Sequence, residues 1–444
     1  MSRTLRRAFA PVLALALVAG ACGDDSGDDE GGSDGEPTAD IDHAALGLWD
    51  DGACDEALEP LHLGLMTTFE SPVVSLEDQA LALEASAEAF NARGGANGAC
   101  IQITTCNDGA TIDGAIECAR QFIDAGVDAT LNDQITAGHL EVSQAMAEAG
   151  IPRVAANVIN TDWTDPNAYP LDAAGTGTAF LSPQALIDAD VTDIGIVRVD
   201  NASAGALLGL LEQVYEGDAT FVSDDGVPAG TTDFSQFILA AEDEGAGGIT
   251  LLLGEQEAIQ IARAGQQLGT DLLIGASLGS FPHSIVEELG DFAEQMVFMW
   301  SFAPATADIP VYEALRADMA ASGEDALQLE NLKASPMRSW IGLYALLHML
   351  REAGTTEFTG PAITEVLQAS GPVPMLDMFG GEDWEPNLDH PGVYTRAGID
   401  RWATYRWDPS AEAPGGLEGN WVEASTISFD AVMCGSVLGA PEPC

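Results

Sequence analysis

LHLGLM at residues 61–66 and IQITT at residues 101–105 are two short segments with the pattern of buried strands. Between them, apolar residues recur at helical spacing at Leu76, Leu83 and Phe90. A strand, a helix and a second strand in this order predict a parallel pair joined by a right-handed crossover. The stretch therefore predicts an α/β fold, in which helices cover both faces of a parallel sheet.

The same alternation continues on both sides of a break near residues 171–178. Further helices are expected at 110–125 and 138–149, and further strands at 129–131, 153–156, 193–199, 220–223, 249–253 and 272–276. After residue 276 the alternation stops, and mostly helical stretches precede a Pro-, Gly- and Trp-rich segment, 373–433, that suggests strands and loops. We therefore expect two doubly wound parallel-sheet lobes, the first formed by 60–180 and 302–372 and the second by 181–301 and 373–433.

The N-terminus has the pattern of a bacterial export signal. Arg3, Arg6 and Arg7 precede an apolar run of about eleven residues, which is too short to span a bilayer. Residues 17–22 (LVAGAC) then resemble a lipobox, which predicts a signal peptide over 1–21 and lipidation of Cys22. An ordinary secretory signal is the alternative, and the twin arginine leaves the Sec and Tat export routes both open. Residues 22–59 are acidic and predict a disordered tether.

The strongly acidic composition limits the classes of molecule that the protein can bind. The chain has 71 acidic and 15 basic residues, and its formal net charge is −56 at pH 7. Such a surface repels nucleic acid and anionic lipid, so we expect contact with a membrane only through the N-terminal lipid. No ligand-like spacing of Cys and His predicts a metal site, and no motif predicts a cofactor.

Six cysteines remain when Cys22 is set aside, and an even number in an exported chain indicates disulfides. Proximity favours Cys434–Cys444, which would close a C-terminal loop over 434–444. Cys106–Cys118 and Cys54–Cys100 are both compatible with the predicted elements. Six cysteines allow fifteen connectivities, and the sequence does not choose among them.

Five short motifs point to one family. They are the turn 91–98 (NARGGANG), the turn 107–109 (NDG), the segment 149–152 (AGIP), the helix start 232–235 (TDFS) and the late helix 339–346 (SWIGLYAL). In this order they resemble the type I periplasmic solute-binding proteins, specifically the leucine/isoleucine/valine-binding branch of ABC importer receptors. The resemblance extends over about 61 to 410.

The resemblance implies a receptor and not an enzyme. Two lobes joined by three hinge segments, expected at 178–182, 300–304 and 372–376, would close on a small polar solute, with an amino acid or a related amide favoured. The closed form would deliver the solute to an ABC transporter permease. The receptor would be a monomer, held by its lipid at the outer face of the cell membrane.

In an open α/β sheet the ligand binds beyond the carboxyl ends of the strands. This rule and the resemblance give the candidate binding residues Thr67, Thr68, Phe69, Gln134, Thr136, Ala137, Asn157, Asn160, Asn201, Glu255 and Ser277. The resemblance implies that Thr136 and Ala137 hold a carboxylate at a helix N-terminus. It leaves Glu255 as a substitute partner for an ammonium group, because Ser277 stands where the family has an acidic residue.

Two other functions compete with the receptor. Residues 275–279 (GASLG) fit the nucleophile elbow of serine hydrolases, with Ser277 as nucleophile and His348 or His390 as base. Against this, Pro282 interrupts the helix that should follow the serine. A ligand-sensing module would use the same fold, but it would require a separate signalling partner.

Overall fold

The computed structural model describes residues 41–69, 71, 75–135, 137–157, 164–387, 398–436 and 439. The strands are β1 (Leu61–Thr67), β2 (Ile101–Asn107), β3 (Ala129–Leu131), β4 (Arg153–Val154), β5 (Ala168–Tyr169), β6 (Asp193–Val199), β7 (Thr220–Val227), β8 (Gly248–Leu252), β9 (Leu273–Ser277), β10 (Met296–Trp300), β11 (Arg401–Glu412) and β12 (Glu418–Ser428). The α-helices are α1 (Glu77–Ala92), α2 (Ile112–Ala125), α3 (His139–Ala149), α4 (Ala174–Ile187), α5 (Ala202–Val214), α6 (Ser235–Asp243), α7 (Glu255–Leu268), α8 (His283–Leu289), α9 (Tyr312–Ala321), α10 (Ala334–Glu352), α11 (Gly360–Ala369) and α12 (Phe429–Met433).

The first sheet has the order β2-β1-β3-β4-β5, and all its pairings are parallel. Side chains alternate between the faces of a strand. Met66 of β1 therefore packs with Phe122 of α2 and Met146 of α3, while Leu63 and Leu65 are buried on the other face. Because α9 and α10 pack on α1, the late helices complete the first lobe.

The second sheet has the order β12-β11-β10-β9-β8-β6-β7. The five strands β6 to β10 are parallel, and β11 and β12 add an antiparallel hairpin to the β10 edge. The α/β class with two parallel-sheet lobes is confirmed. The antiparallel edge is formed by the late Trp-rich segment, where we expected strands without assigning their direction.

The chain leaves the first sheet earlier than the sequence suggested. Helix α4 follows β5 after four residues and packs on β8, β9 and β10 of the second sheet. The expected lobe boundary at residue 180 and the expected hinge at 178–182 therefore fall inside a helix. The segment 170–173, between β5 and α4, is the first place where the chain passes from one lobe to the other. The second such crossing begins at Ser301, directly after β10.

The predicted tether is also too long. From residue 42 onward the chain packs on the first lobe, because the ring of Trp49 lies 5.4 Å from that of Phe90, and Cys54 is bonded to Cys100. A second disulfide joins Cys106 to Cys118. The signal peptide, Cys22 and Cys444 lie outside the described residues.

Within the described ranges, no helix has the length and apolar character needed to cross a membrane. The same ranges contain no group of three or more His, Cys, Asp or Glu side chains placed to hold a metal ion.

Candidate solute-binding cleft

A cavity of about 380 Å³ lies between the two lobes, at the carboxyl ends of strands from both sheets. The side from the first lobe consists of Ser75, Leu76, Gln134 and Asn157. The side from the second lobe is formed by 251–256, Ser277, Gly279 and Ser280, and the remainder by Gly175, Thr178, Ala179, Trp300 and Ser335. We call this cavity the interlobe cleft.

A hydrogen-bonded chain of side chains fixes the first-lobe wall of the cleft. The hydroxyl of Thr67 donates to Gln79 Oε1 over 3.1 Å, and Gln79 Nε2 donates to Gln134 Oε1 over 3.3 Å. Asn157 Nδ2 donates to the same oxygen of Gln134 over 2.8 Å. Two donors thus occupy the carbonyl oxygen of Gln134, so its amide N–H groups are the part left to face a solute.

The N-termini of two helices open into the cleft from opposite lobes. Gly254 precedes α7 and Leu76 precedes α1, and neither position provides a side-chain cap. The first backbone N–H groups of an α-helix have no partner within the helix and carry partial positive charge. Both walls therefore present hydrogen-bond donors to the space between them.

One ammonium group connects the two lobes beside the cleft. Lys333, the only lysine of the chain, has its Nζ 2.6 Å from Asp78 Oδ2 of α1 and 2.5 Å from Glu255 Oε2 of α7. Burial alone lowers the pKa of Lys333, but the two carboxylates outweigh it and raise that pKa. Burial raises the pKa of Glu255, and Lys333 offsets this only in part. Glu255 is thus already paired within the protein.

Ser277 has a structural role in the second-lobe wall. It ends β9, and its hydroxyl accepts a hydrogen bond from Gly279 N over 3.2 Å, which caps the short 3₁₀ turn 278–280. The next helix, α8, begins only at His283, so the strand–serine–helix geometry of a nucleophile elbow is not formed. His348 lines a different cavity, between α10 and α11, where burial lowers its pKa. His390 lies outside the described residues.

The structure brings Gln134, Asn157, Glu255 and Ser277 together in the cleft. Thr67 and Thr68 are fully buried, with their hydroxyls bonded to Gln79 and Asp108, and do not line it. The backbone N–H of Phe69 donates to Asn107.

The other candidates lie elsewhere. Asn201 caps α5 by accepting from Ala204 N over 2.8 Å and is exposed. Ala137 is half-buried just before α3, and Thr136 and Asn160 lie outside the described residues.

Sequence reasoning missed several residues of the cleft and its border, namely Ser75, Thr178, Trp300, Lys333 and Ser335. Trp300 ends the strong apolar run 296–302, and Lys333 is unique in the composition. Both features can be seen in the sequence, but neither of them predicts that the residue lies at the surface between the lobes.

Two α/β lobes with a cleft between them, at the carboxyl ends of their strands, are the architecture of a two-lobed binding protein. A family model described as periplasmic binding protein matches residues 60–408, and the chain belongs to that family. No curated protein matches the chain. Members of the family are extracytoplasmic binding proteins and not enzymes. The family expected from the sequence is confirmed, and the hydrolase alternative is wrong.

Solved structures of the family share the fold. A fatty acid ABC transporter substrate-binding protein from Thermomonospora curvata is 15% identical with a TM-score of 0.67, over 86% of this chain and 95% of that one. A leucine-, isoleucine-, valine-, threonine- and alanine-binding protein from Brucella ovis, in a closed conformation, is 14% identical with a TM-score of 0.65, over 87% and 98%. An R. palustris solute-binding protein in complex with 4-hydroxybenzoate is 15% identical with a TM-score of 0.62, over 83% and 97%.

Proposed function

We propose that this protein is a lipid-anchored receptor that binds a small polar solute in the interlobe cleft and delivers it to an ABC transporter permease. An amino acid or a related amide is the favoured solute. The observation that carries the proposal is the lining of the cleft, where Gln134 and Asn157 of one lobe face 254–256 and Ser277 of the other. A solute in this space would contact both lobes at once.

Closure of the lobes would complete the site. A ligand that touches both lobes stabilises the closed state in proportion to the contacts it gains there. The crossing segments 170–173 and 301–303 would serve as two of the hinges, and a third would lie between α11 and β11. The structures of the family differ in their named ligands, which include an aromatic acid, a fatty acid and amino acids, so the fold alone does not select the solute.

The N-terminal segment would keep the receptor near its permease. Lipidation of Cys22 would fix the chain to the outer face of the cell membrane, and the acidic residues before 42 would form the tether. Tethering raises the effective concentration of the receptor at the permease, so a monomer of modest affinity would suffice.

Thermal unfolding of residues 22–444 carrying Cys22→Ser, which cannot be lipidated, tests this proposal. We expect at least one solute from a panel of amino acids, amides and small carboxylates to raise the Tm. A ligand present at about one hundred times its Kd stabilises the folded state by about 2.7 kcal/mol. Sodium chloride at matched ionic strength is the control, and a panel in which no solute changes the Tm contradicts the proposed solute class.

A further inference from the structure

The charge of the interlobe cleft is set by one cluster at its edge. Among the described residues that line the cleft, Glu255 is the only one with an ionisable side chain. Its carboxylate contacts the ammonium of Lys333, which also contacts Asp78. The remaining polar side chains of the lining are neutral amides and hydroxyls, from Gln134, Asn157, Gln256 and the serines and threonine.

The two carboxylates of this cluster hold matching positions in the two lobes. Asp78 lies in the first turn of α1 and Glu255 in the first turn of α7. The side chain of Lys333, next to the start of α10, is 12% exposed and lies between them. Since a partly buried charge loses most of its hydration, the ammonium is held there by these carboxylates.

We propose that Lys333 is a specificity-determining residue, whose ammonium fills the position between Asp78 and Glu255 that the ammonium of a solute would otherwise take. A second ammonium at this place would lie against the charge of Lys333, and the carboxylate oxygens that face this position are already in contact with Lys333. Within the solute class proposed above, this narrows the choice: the receptor selects amides that lack an ammonium group over α-amino acids. This selectivity rests on the proposed function, whereas the occupancy of the position by Lys333 does not.

The direct test removes the ammonium group of Lys333 by substitution and adds a small ammonium ion in solution. The variant Lys333→Met in residues 22–444 with Cys22→Ser leaves two carboxylates uncompensated, and we expect it to bind ethylammonium. Isothermal titration calorimetry should give binding at least about tenfold tighter than for the unsubstituted protein. Arg263→Met is the matched control, because Arg263 pairs with Glu288 on the exposed side of α7 and its loss should leave ethylammonium binding unchanged.

A second arm compares solutes that differ at one group. Lactamide and alaninamide carry a hydroxyl and an ammonium, respectively, on the same carbon. We expect the unsubstituted protein to prefer lactamide, and Lys333→Met to shift the ratio of the two dissociation constants toward alaninamide by at least about tenfold. Lys333→Ala is the second variant should the methionine form not fold, because it also removes the ammonium and its small side chain lets water reach both carboxylates.

The outcomes separate the two proposals. If the folded Lys333 variants bind ethylammonium no better than the unsubstituted protein, or if that protein prefers alaninamide, the role of Lys333 is refuted. If the variants gain ethylammonium binding but the solute panel never changes the Tm, the role of Lys333 stands and the proposed solute class fails.

Discussion

At the scale of single residues, Asp172 and Arg338 form a buried ion pair at the segment where the chain first crosses between the lobes. Arg338 Nη1 of α10 lies 2.8 Å from Oδ1 of Asp172, and both side chains are buried. The hydroxyl of Ser301, on the second crossing, donates to the same carboxylate. Asp172 therefore links both crossing segments to a helix of the first lobe.

Replacement of Asp172 by asparagine should be strongly destabilising. Because Asp172→Asn leaves the buried charge of Arg338 without its carboxylate, we expect the free energy of unfolding to fall by about 3–5 kcal/mol. Equilibrium unfolding in urea measures this change. Glu288→Gln, which breaks the exposed pair with Arg263, should change the free energy by no more than about 1 kcal/mol. Equal effects of the two substitutions would refute the structural role of Asp172.

The sequence predicted some cleft residues and not others for a physical reason. Gln134 and Asn157 follow short strands, and the rule that ligands bind beyond strand ends is local enough to find them. Lys333 instead pairs with Asp78 and Glu255, which are far away in sequence. Such a contact depends on how the two lobes meet, and no local pattern encodes it.

At the scale of elements, α4 shows how packing overrides local preference. Its sequence, AGTGTAFLSPQALI, contains two glycines and Pro183, which are poor helix formers, and it suggested a linker. The helix forms because it is buried against the second sheet, where Gly177 contacts the ring of Trp402 in β11. The regularly spaced strands β1, β2, β6 and β8 were found by their apolar runs, whereas the two-residue β5 is too short to give such a signal.

Two glycine-to-alanine substitutions should change stability in opposite directions. A Cβ at Gly177 would overlap the indole of Trp402, so we expect Gly177→Ala to cost about 1–3 kcal/mol. Gly209 lies on the exposed side of α5 with open space around it, so Gly209→Ala should stabilise the protein by about 0.5–1 kcal/mol. Urea unfolding of both variants checks this. A stabilising effect at Gly177 would mean that α4 does not pack on β11.

At the scale of the whole molecule, the two lobes form opposite walls of one cleft. The first lobe contributes a fixed amide network around Gln134, and the second contributes the N-terminus of α7 and the end of β9. The fold class followed from the strand–helix alternation, which recurs along the chain, and the family followed from five motifs that are each local in sequence. In the proposed function, the identity of the solute would depend on a few side chains at the cleft, and it does not follow from the fold.

Titration of Gln134→Ala most directly tests the claim that the solute binds in the interlobe cleft. The solute that raises the Tm most would be titrated calorimetrically into the unsubstituted protein, Gln134→Ala and the control Gln213→Ala, whose side chain is exposed on α5. We predict that Gln134→Ala weakens binding at least about tenfold, because the solute loses a hydrogen-bond donor, and that Gln213→Ala has no effect. Equal affinity of all three proteins would contradict binding in the cleft.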